Sequence, residues 1–316
     1  MTSLKRIALA TGLFASLMTA MQAQAADKMT VLLDWFVNPD HAALIIAREK
    51  GFFEAEDLDV DLIAPADPND PPKLVAAGKA DLAVSYQPHL HLMADQGLPL
   101  VRVGTLVDQP LNSLVVLEDG PIESIADLKG RKIGFSVGGF EDALLGEMLK
   151  EAGLTLSDIE LVNVNWSLSP SMIAGQVDAV IGAFRNFELN QMDIVGRPGR
   201  AFLPEEHGVP TYDELILLSH ADRIDDPRLP RFLKALTAAT DYIQANPEEA
   251  WKAFAAIDPA LDDELNHRAW GDTVPLLARD PAALDAARYD AFAGFMKDAG
   301  LTQTMPPVET YAVEVR

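Results

Sequence analysis

Short apolar runs alternate with amphipathic stretches along the first third of the chain. The apolar runs predict strands, and the stretches with helical spacing predict helices between them. Such alternation is typical of a mostly parallel sheet covered on both faces by helices, so the predicted fold class is α/β. The predicted strands are Val31–Leu33, Val60–Ile63, Leu82–Ser85 and Val101–Leu106, and the predicted helices are His41–Lys50, Pro72–Ala77 and Pro88–Gln96.

The same order of elements recurs in the middle of the chain. A strand at Lys132–Phe135 again precedes a helix, and the residues around Gly175 and Asp178 repeat those around Gly78 and Asp81. One helix-Gly-x-x-Asp-strand joint can arise by chance. Two matched joints, each preceded by a matched strand, loop and helix, predict two similar lobes.

The last third of the chain is predicted to be nearly all helical. One strand at Leu215–Ser219 precedes helices at Leu229–Ala245, Glu248–Phe254, Leu261–Trp270 and Ala282–Ala299. The pattern predicts a bilobal fold with a hinge and a helical C-terminal segment. Residues 26–117 and 217–316 would form lobe I and residues 118–216 lobe II. Ligand sites occur preferentially at such lobe interfaces.

The N-terminus has the pattern of a secretory signal peptide. Lys5 and Arg6 precede an uncharged apolar run from Ile7 to Met21, and Ala23-Gln24-Ala25 fits a cleavage site. We therefore predict a signal peptide at residues 1–25 and a periplasmic mature protein. An uncleaved membrane anchor is the alternative, but a cytoplasmic-side basic cluster is missing.

Charge excludes some classes of partner. The 316-residue chain has 25 basic and 48 acidic residues, and loss of Lys5 and Arg6 with the signal would leave a net charge of −25. Such a field repels nucleic acid and anionic lipid surfaces. The chain has no cysteine, so disulfides and thiolate chemistry are excluded.

A polar and aromatic loop follows the first predicted strand. It contains Asp34, Trp35, Asn38 and His41 just before a helix. Ligands of open α/β sheets bind outside the carboxyl ends of strands, so these four residues are candidate ligand contacts. Trp35 could instead pack against the sheet.

A second loop follows the Leu82–Ser85 strand. Tyr86 and Gln87 lie at the strand end and are candidate ligand contacts. His89 and His91 are two positions apart and do not share a helix face, so no metal site is predicted and a structural role is favoured.

Three further stretches, all after residue 130, supply candidate ligand contacts. Ser136, Gly138 and Gly139 precede a helix, where backbone N–H groups can approach a ligand, although a plain turn is equally consistent. Glu188 could accept hydrogen bonds from a heteroaromatic amino group or could simply cap a helix. The stretch around it adds Phe184 and Asn186, and Tyr212 lies at the return crossing. No catalytic motif is present, so no catalytic residue is predicted.

With these residues assembled, the sequence resembles the periplasmic binding proteins that deliver thiamine pyrimidine precursors to an ABC transporter. The resemblance runs from about Met29 to Asn246, and its more specific parts are the Trp35/Asn38/His41 loop and the stretch from Asn186 to Glu188. The matching segments are Leu33–His41, Ala47–Phe53, Leu58–Val60, Gly78–Asp81, Leu128–Gly134 and Gly182–Glu188.

The resemblance implies a monomeric binding protein that closes its lobes on a small pyrimidine and presents the closed form to a membrane permease, without a cofactor. Relatives that bind sulfonates such as taurine, nitrate or riboflavin share parts of the pattern and provide alternative ligands. A eukaryotic enzyme branch builds the pyrimidine from pyridoxal phosphate and its own histidine. His89 aligns with that histidine, but Ser85 replaces the lysine that holds the cofactor, which disfavours synthase activity.

Overall fold

A computed structural model describes residues 26–315. The predicted signal peptide therefore lies outside the described residues. Within them, every helix is too short or too polar to cross a membrane.

Strands occur at or within a few residues of most of the apolar runs. In the described residues they are β1 (Asp27–Leu32), β2 (Leu58–Ile63), β3 (Leu82–Ser85), β4 (Leu100–Val107), β5 (Asn112–Leu117), β6 (Lys132–Phe135), β7 (Glu160–Asn163), β8 (Ala179–Phe184), β9 (Gly199–Phe202) and β10 (Leu215–His220). The helices are α1 (Ala42–Glu49), α2 (Phe52–Ala55), α3 (Pro71–Ala76), α4 (Gln87–Asp95), α5 (Phe140–Glu151), α6 (Leu168–Ile173), α7 (Glu188–Ile194), α8 (Arg228–Ala245), α9 (Pro247–Ala255), α10 (Glu264–Thr273) and α11 (Ala286–Asp298).

The strands form two sheets of the same design. The first has the order β2-β1-β3-β10-β4 and the second the order β7-β6-β8-β5-β9. In each sheet the first three strands are parallel, and the fourth position holds an antiparallel strand from a different part of the chain. The α/β fold class is thereby confirmed.

The two Gly-x-x-Asp joints make the same contact in both sheets. The Asp81 carboxylate accepts a hydrogen bond of 2.8 Å from the Thr30 N–H on β1. The Asp178 carboxylate accepts one of 2.9 Å from the Lys132 N–H on β6. Each aspartate thus joins the start of one strand to its parallel neighbour, which explains the spacing of the sequence repeat.

Helix α8 covers one face of the first sheet through its apolar stripe. Phe232 stacks on Phe53 of α2, with ring centroids 5.0 Å apart, and Leu233, Leu236 and Ile243 are buried with it. The apolar spacing of this segment predicted the helix because those residues fall on one side of a 3.6-residue repeat.

We call the first sheet with its helices lobe I (26–107 and 215–315) and the second lobe II (112–202). The first crossing differs from the expected one after residue 117, because β5 pairs with β8 and β9 of the second sheet. It lies between Val107 and Asn112 instead. An apolar strand carries no mark of which sheet it will join, so the sequence did not locate this crossing.

The C-terminal segment is tied to lobe I by the fully buried Arg102 of β4. Its guanidinium donates hydrogen bonds of 3.1 Å to the carbonyls of Ala282 and Val313 and one of 2.7 Å to the Thr105 hydroxyl. Several acceptors surround the two terminal nitrogens of this buried cation, which offsets the cost of burying its charge.

Candidate functional site

A cavity lies between the lobes, where the carboxyl ends of β1 and β3 face those of β6 and β8. It holds about 440 Å³ of space not filled by protein atoms, part of it open to solvent. Lobe I contributes Asp34, Trp35, Asn38, Asp40 and Tyr86, and lobe II contributes Ser136, Val137, Glu141, Leu168, Gly182, Phe184, Phe187 and Glu188. Trp35 and Glu188, which come from separate loops of the sequence, thus share one crevice.

The polar groups of the lobe I wall bond mainly to one another. The two carboxylate oxygens of Asp34 bond to His41 Nε2 and to the Tyr86 hydroxyl, each at 2.8 Å. The His41 Nδ1 faces the Asn38 N–H at 3.4 Å, which assigns the ring proton to Nε2 as the donor to Asp34. The Asn38 side chain in turn accepts from the Asp40 N–H at 2.8 Å. The loop is therefore held in shape without a ligand.

Tyr86 is fixed by its rings as well as by its hydroxyl. It stacks on Phe140 with centroids 4.7 Å apart and meets Phe184 edge-on at 6.3 Å. Burial, reinforced by the neighbouring Asp34 carboxylate, raises the pKa of the Tyr86 phenol well above its usual value. The phenol stays a hydrogen-bond donor at any physiological pH.

Aromatic side chains from both lobes meet beside the cavity. The ring centroids of Trp35 in lobe I and Trp166 in lobe II are 4.4 Å apart. Phe36 meets Phe187 edge-on, with a centroid distance of 5.8 Å. These contacts cross the cleft, so the structure shows the lobes closed on each other.

The acids of the lobe II wall are held only by backbone groups. Glu188 begins α7, and its Oε2 accepts a 2.6 Å hydrogen bond from the Phe184 N–H. Glu141 lies in the first turn of α5, and its Oε2 accepts a 2.9 Å bond from the Ser136 N–H. Burial raises the pKa of each carboxyl to about 8. Among the described residues, no lysine or arginine lines the cavity.

A second set of polar contacts joins the lobes at Asp40. Asn186 of lobe II donates one bond of 2.6 Å to the Asp40 carboxylate and another of 2.7 Å to the Thr273 hydroxyl. Thr273 also donates to Asp40 at 3.0 Å. Burial raises the Asp40 pKa to about 6, although the Asn186 hydrogen bond opposes that rise.

Asn69 makes a comparable cross-lobe contact on the other side of the cavity. Its amide oxygen accepts from the Gly138 N–H at 3.1 Å, and its amide nitrogen donates to the Ser136 carbonyl at 3.3 Å. The glycine loop that the sequence suggested for a ligand is thus partly occupied by a side chain of lobe I.

Seven of the thirteen candidate residues line the cavity, and six do not. His41 supports Asp34, and Asn186 bonds to Asp40 and Thr273 as described. Gln87 accepts from the Asp213 N–H at 2.8 Å, and Tyr212 packs edge-on against Phe292 at the return crossing. The remaining two are Gly138 and Gly139, whose N–H groups donate to Asn69 and Asp142.

A family model described as NMT1/THI5 like matches residues 38–250 of the chain. The chain belongs to the NMT1/THI5-like family. The matched range contains every candidate loop except the first residues of the Asp34 loop.

Several members of the NMT1/THI5-like family are close in sequence. A Haemophilus influenzae protein named for thiamine biosynthesis is 55% identical over 300 residues, 95% of this chain and 96% of that protein. The formylaminopyrimidine-binding protein of Halalkalibacterium halodurans is 35% identical over 73% of this chain and 71% of its own. A Uromyces fabae relative named 4-amino-5-hydroxymethyl-2-methylpyrimidine phosphate synthase is 30% identical over 81% and 78%.

A solved structure confirms the bilobal fold of this NMT1/THI5-like chain. The alkanesulfonate-binding protein SsuA of Xanthomonas axonopodis pv. citri superposes with a TM-score of 0.71 at 18% identity, over 92% of this chain and 99% of the other. At that identity the likeness establishes a periplasmic-binding-protein fold and nothing about the ligand.

The features expected of the family's synthases are not found at the cavity. Ser85 is buried on β3, and its hydroxyl has no partner among the described residues. His89 stacks on Phe140 with centroids 5.6 Å apart, and burial lowers its pKa to about 4. Neither residue lines the cavity.

Sequence reasoning missed several residues of the cleft, among them Asp40, Glu141, Phe187, Trp166 and Asn69. Glu141 was hidden because an acid in a first helical turn is common, although it follows the glycine loop by two positions. Trp166 and Asn69 occupy loops after the edge strands β7 and β2. A tryptophan just after a strand end, as at Trp35, is the one signal that could have indicated Trp166.

Proposed function

We propose that this protein is the extracytoplasmic solute-binding protein of an ABC importer and binds an aminopyrimidine precursor of thiamine between its lobes. The observation that carries the proposal is the composition of the cavity wall. It combines aromatic rings with four carboxyl side chains, Asp34, Asp40, Glu141 and Glu188, and its described lining has no cationic side chain.

Such a wall suits a flat ligand that carries hydrogen-bond donors. Rings beside the cavity, such as Trp35 and Phe184, offer faces for a heteroaromatic ring. The Glu188 carboxyl is available to accept from a ring amino group, since burying either group without a partner would be costly. The name of the Halalkalibacterium halodurans relative supports this class of ligand.

The same wall disfavours anionic ligands. A sulfonate or nitrate would be buried without a cation to compensate its charge, and burying an uncompensated charge is costly. These alternatives, which the sequence left open, are therefore second to the aminopyrimidine. Riboflavin is uncharged, so this argument does not separate it from an aminopyrimidine, and the binding panel below does.

The transport role follows from the lobed design. Contacts such as Trp35–Trp166 and Asp40–Asn186 cross the cleft, so a ligand in the cavity would be enclosed when they form. Hinge closure of this kind creates a surface that a permease can distinguish from the open form. We propose a periplasmic location, no cofactor and no enzymatic turnover.

A binding panel tests the proposal. Isothermal titration of the mature protein should show binding of 4-amino-5-hydroxymethyl-2-methylpyrimidine or its formylaminomethyl analogue, and no heat from taurine, nitrate or riboflavin. Tight binding of a sulfonate would contradict the proposal. Consumption of pyridoxal phosphate with loss of His89, detected by mass spectrometry, would instead establish the synthase.

A further inference from the structure

Glu141 occupies space that a glycine leaves open in the cavity wall. A Cβ atom built on Gly182 would lie 2.4 Å from Glu141 Oε1 and 2.7 Å from Oε2. Any side chain at residue 182 would therefore collide with the carboxyl group. The positive φ of +93° also favours glycine at this position. The local structure of β8 thus accommodates the Glu141 carboxyl inside the cavity.

This carboxyl has no charged partner among residues 26–315. Glu141 is 3% exposed, and its carboxyl accepts hydrogen bonds from the backbone of the 136–137 turn. Within residues 26–315 no ion pair involves it. Buried acids are normally paired or hydrogen-bonded by several donors. A ligand donor is the missing partner that this arrangement can accept.

Glu141 and Glu188 face different parts of the cavity. The first lies against Gly182 and the second against the N–H of Phe184. Two residues along a strand span about 6.6 Å, so the two acids approach the cavity from different positions along β8. They can therefore accept from two different substituents of one bound ring.

We infer that Glu141 is a second ligand-contacting acid, which selects aminopyrimidines that carry an additional hydrogen-bond donor away from the ring amino group. In this arrangement Glu188 binds the amino group and Glu141 binds the donor on the side group. The inference rests on the proposed function and deepens it, because it names the part of the ligand that each acid recognises.

A cycle of two ligands and two variants tests the assignment. The ligands are 4-amino-5-aminomethyl-2-methylpyrimidine and 4-amino-2,5-dimethylpyrimidine, which differ only in the side-group donor. In Glu141→Gln the amide oxygen is needed by the Ser136 N–H, so an NH₂ group would face the ligand in place of an acceptor. We expect the wild type to prefer the aminomethyl ligand by at least about tenfold, and Glu141→Gln to lose that preference.

Controls separate this inference from the proposed function. Glu188→Gln should weaken both ligands equally and keep their ratio. Asp142→Asn changes a neighbouring acid that caps the same helix outside the cavity and should leave both affinities unchanged. Equal affinities of the two ligands for the wild type, or an unchanged ratio in a folded Glu141→Gln variant, would overturn the inference. Failure of the wild type to bind either pyrimidine would overturn the proposed function itself.

Discussion

The two walls of the cavity carry acids in contrasting states. On lobe I, Asp34 is bonded to both His41 and Tyr86, so each of its oxygens already has a side-chain donor inside the protein. On lobe II, Glu141 and Glu188 receive only backbone N–H groups, and burial raises the pKa of both to about 8. Both walls are acidic, but only the acids Glu141 and Glu188 of lobe II lack a side-chain donor and can take one from a ligand.

This difference indicates that the two lobes have different roles in binding. A wall whose polar groups satisfy one another keeps its shape when the cleft is empty, which lowers the ordering cost of binding. A wall with unmatched acids is destabilising until a ligand supplies donors. Lobe I would therefore position the ring, and lobe II would recognise its polar edges.

The largest expected effect is on the pH dependence of stability. The folded-state pKa values of Glu141 and Glu188 lie near 8, above the ordinary value of 4.5. Between these limits the folded protein holds protons that the unfolded chain releases, so the stability from these groups is full below about pH 4.5 and falls as pH rises to 8. Each group contributes a slope of up to about 1.4 kcal/mol per pH unit. The Glu141→Gln/Glu188→Gln double variant should lose stability less steeply in urea titrations at pH 5.5, 6.5 and 7.5. Parallel curves for the two proteins would show that the lobe II acids are ionised in the empty cleft.

The next effect breaks the lobe I network. Asp34→Ala removes the acceptor of both His41 and Tyr86 and leaves two buried donors unpaired. We expect a loss of roughly 2–3 kcal/mol in the free energy of unfolding, measured by denaturant titration. Tyr86→Phe, which removes only one of these bonds, should cost less than half as much. Equal losses would indicate that Asp34 is not shared between the two residues.

Glu188→Gln changes recognition without breaking the fold. The Gln oxygen can still accept from the Phe184 N–H, whereas its NH₂ group cannot accept from a ligand. Affinity for the aminopyrimidine should fall by about 1–2 kcal/mol in isothermal titration. Asp142→Asn is a control, because Asp142 is an acid that accepts from the Gly139 N–H at the start of α5 and lies outside the cavity. A similar loss of affinity in both variants would remove Glu188 from the ligand.

The smallest effect concerns closure. Asn186→Ala removes the bonds that join lobe II to Asp40 and Thr273. Because these bonds exist only when the lobes meet, the variant should weaken ligand affinity by about 0.5–1 kcal/mol while the unfolding of the empty protein changes little. Small-angle scattering should show incomplete compaction on ligand addition. Affinity that matches the wild type would show that Asn186 does not stabilise the closed form.

Periodicity and resemblance predicted most strands and helices and the existence of a cleft. They did not predict which polar side chains bond to each other across that cleft. The strand Lys132–Phe135 followed from local pattern. The meeting of Trp35 and Glu188 in one cleft followed from the predicted two-lobe plan, because each residue lies just after a strand end of its own sheet. Asn38 and Asn186 were assigned to the ligand because an amide beside a strand end looks available. In the structure Asn38 lines the cavity and bonds to its own loop. Asn186 instead donates to Asp40, 146 positions away, and to Thr273, and no local pattern indicates such a contact.

Strand β10 lies between β3 and β4 in the first sheet, and this position imposes an order on assembly. Until β10 is placed, β3 and β4 lack the strand that joins them, whereas all strands of the second sheet come from residues 112–202. Distant pairings form slowly because the loop between them must first close. We therefore expect lobe II to fold first and the first sheet to keep unpaired strand edges until β10 inserts between β3 and β4.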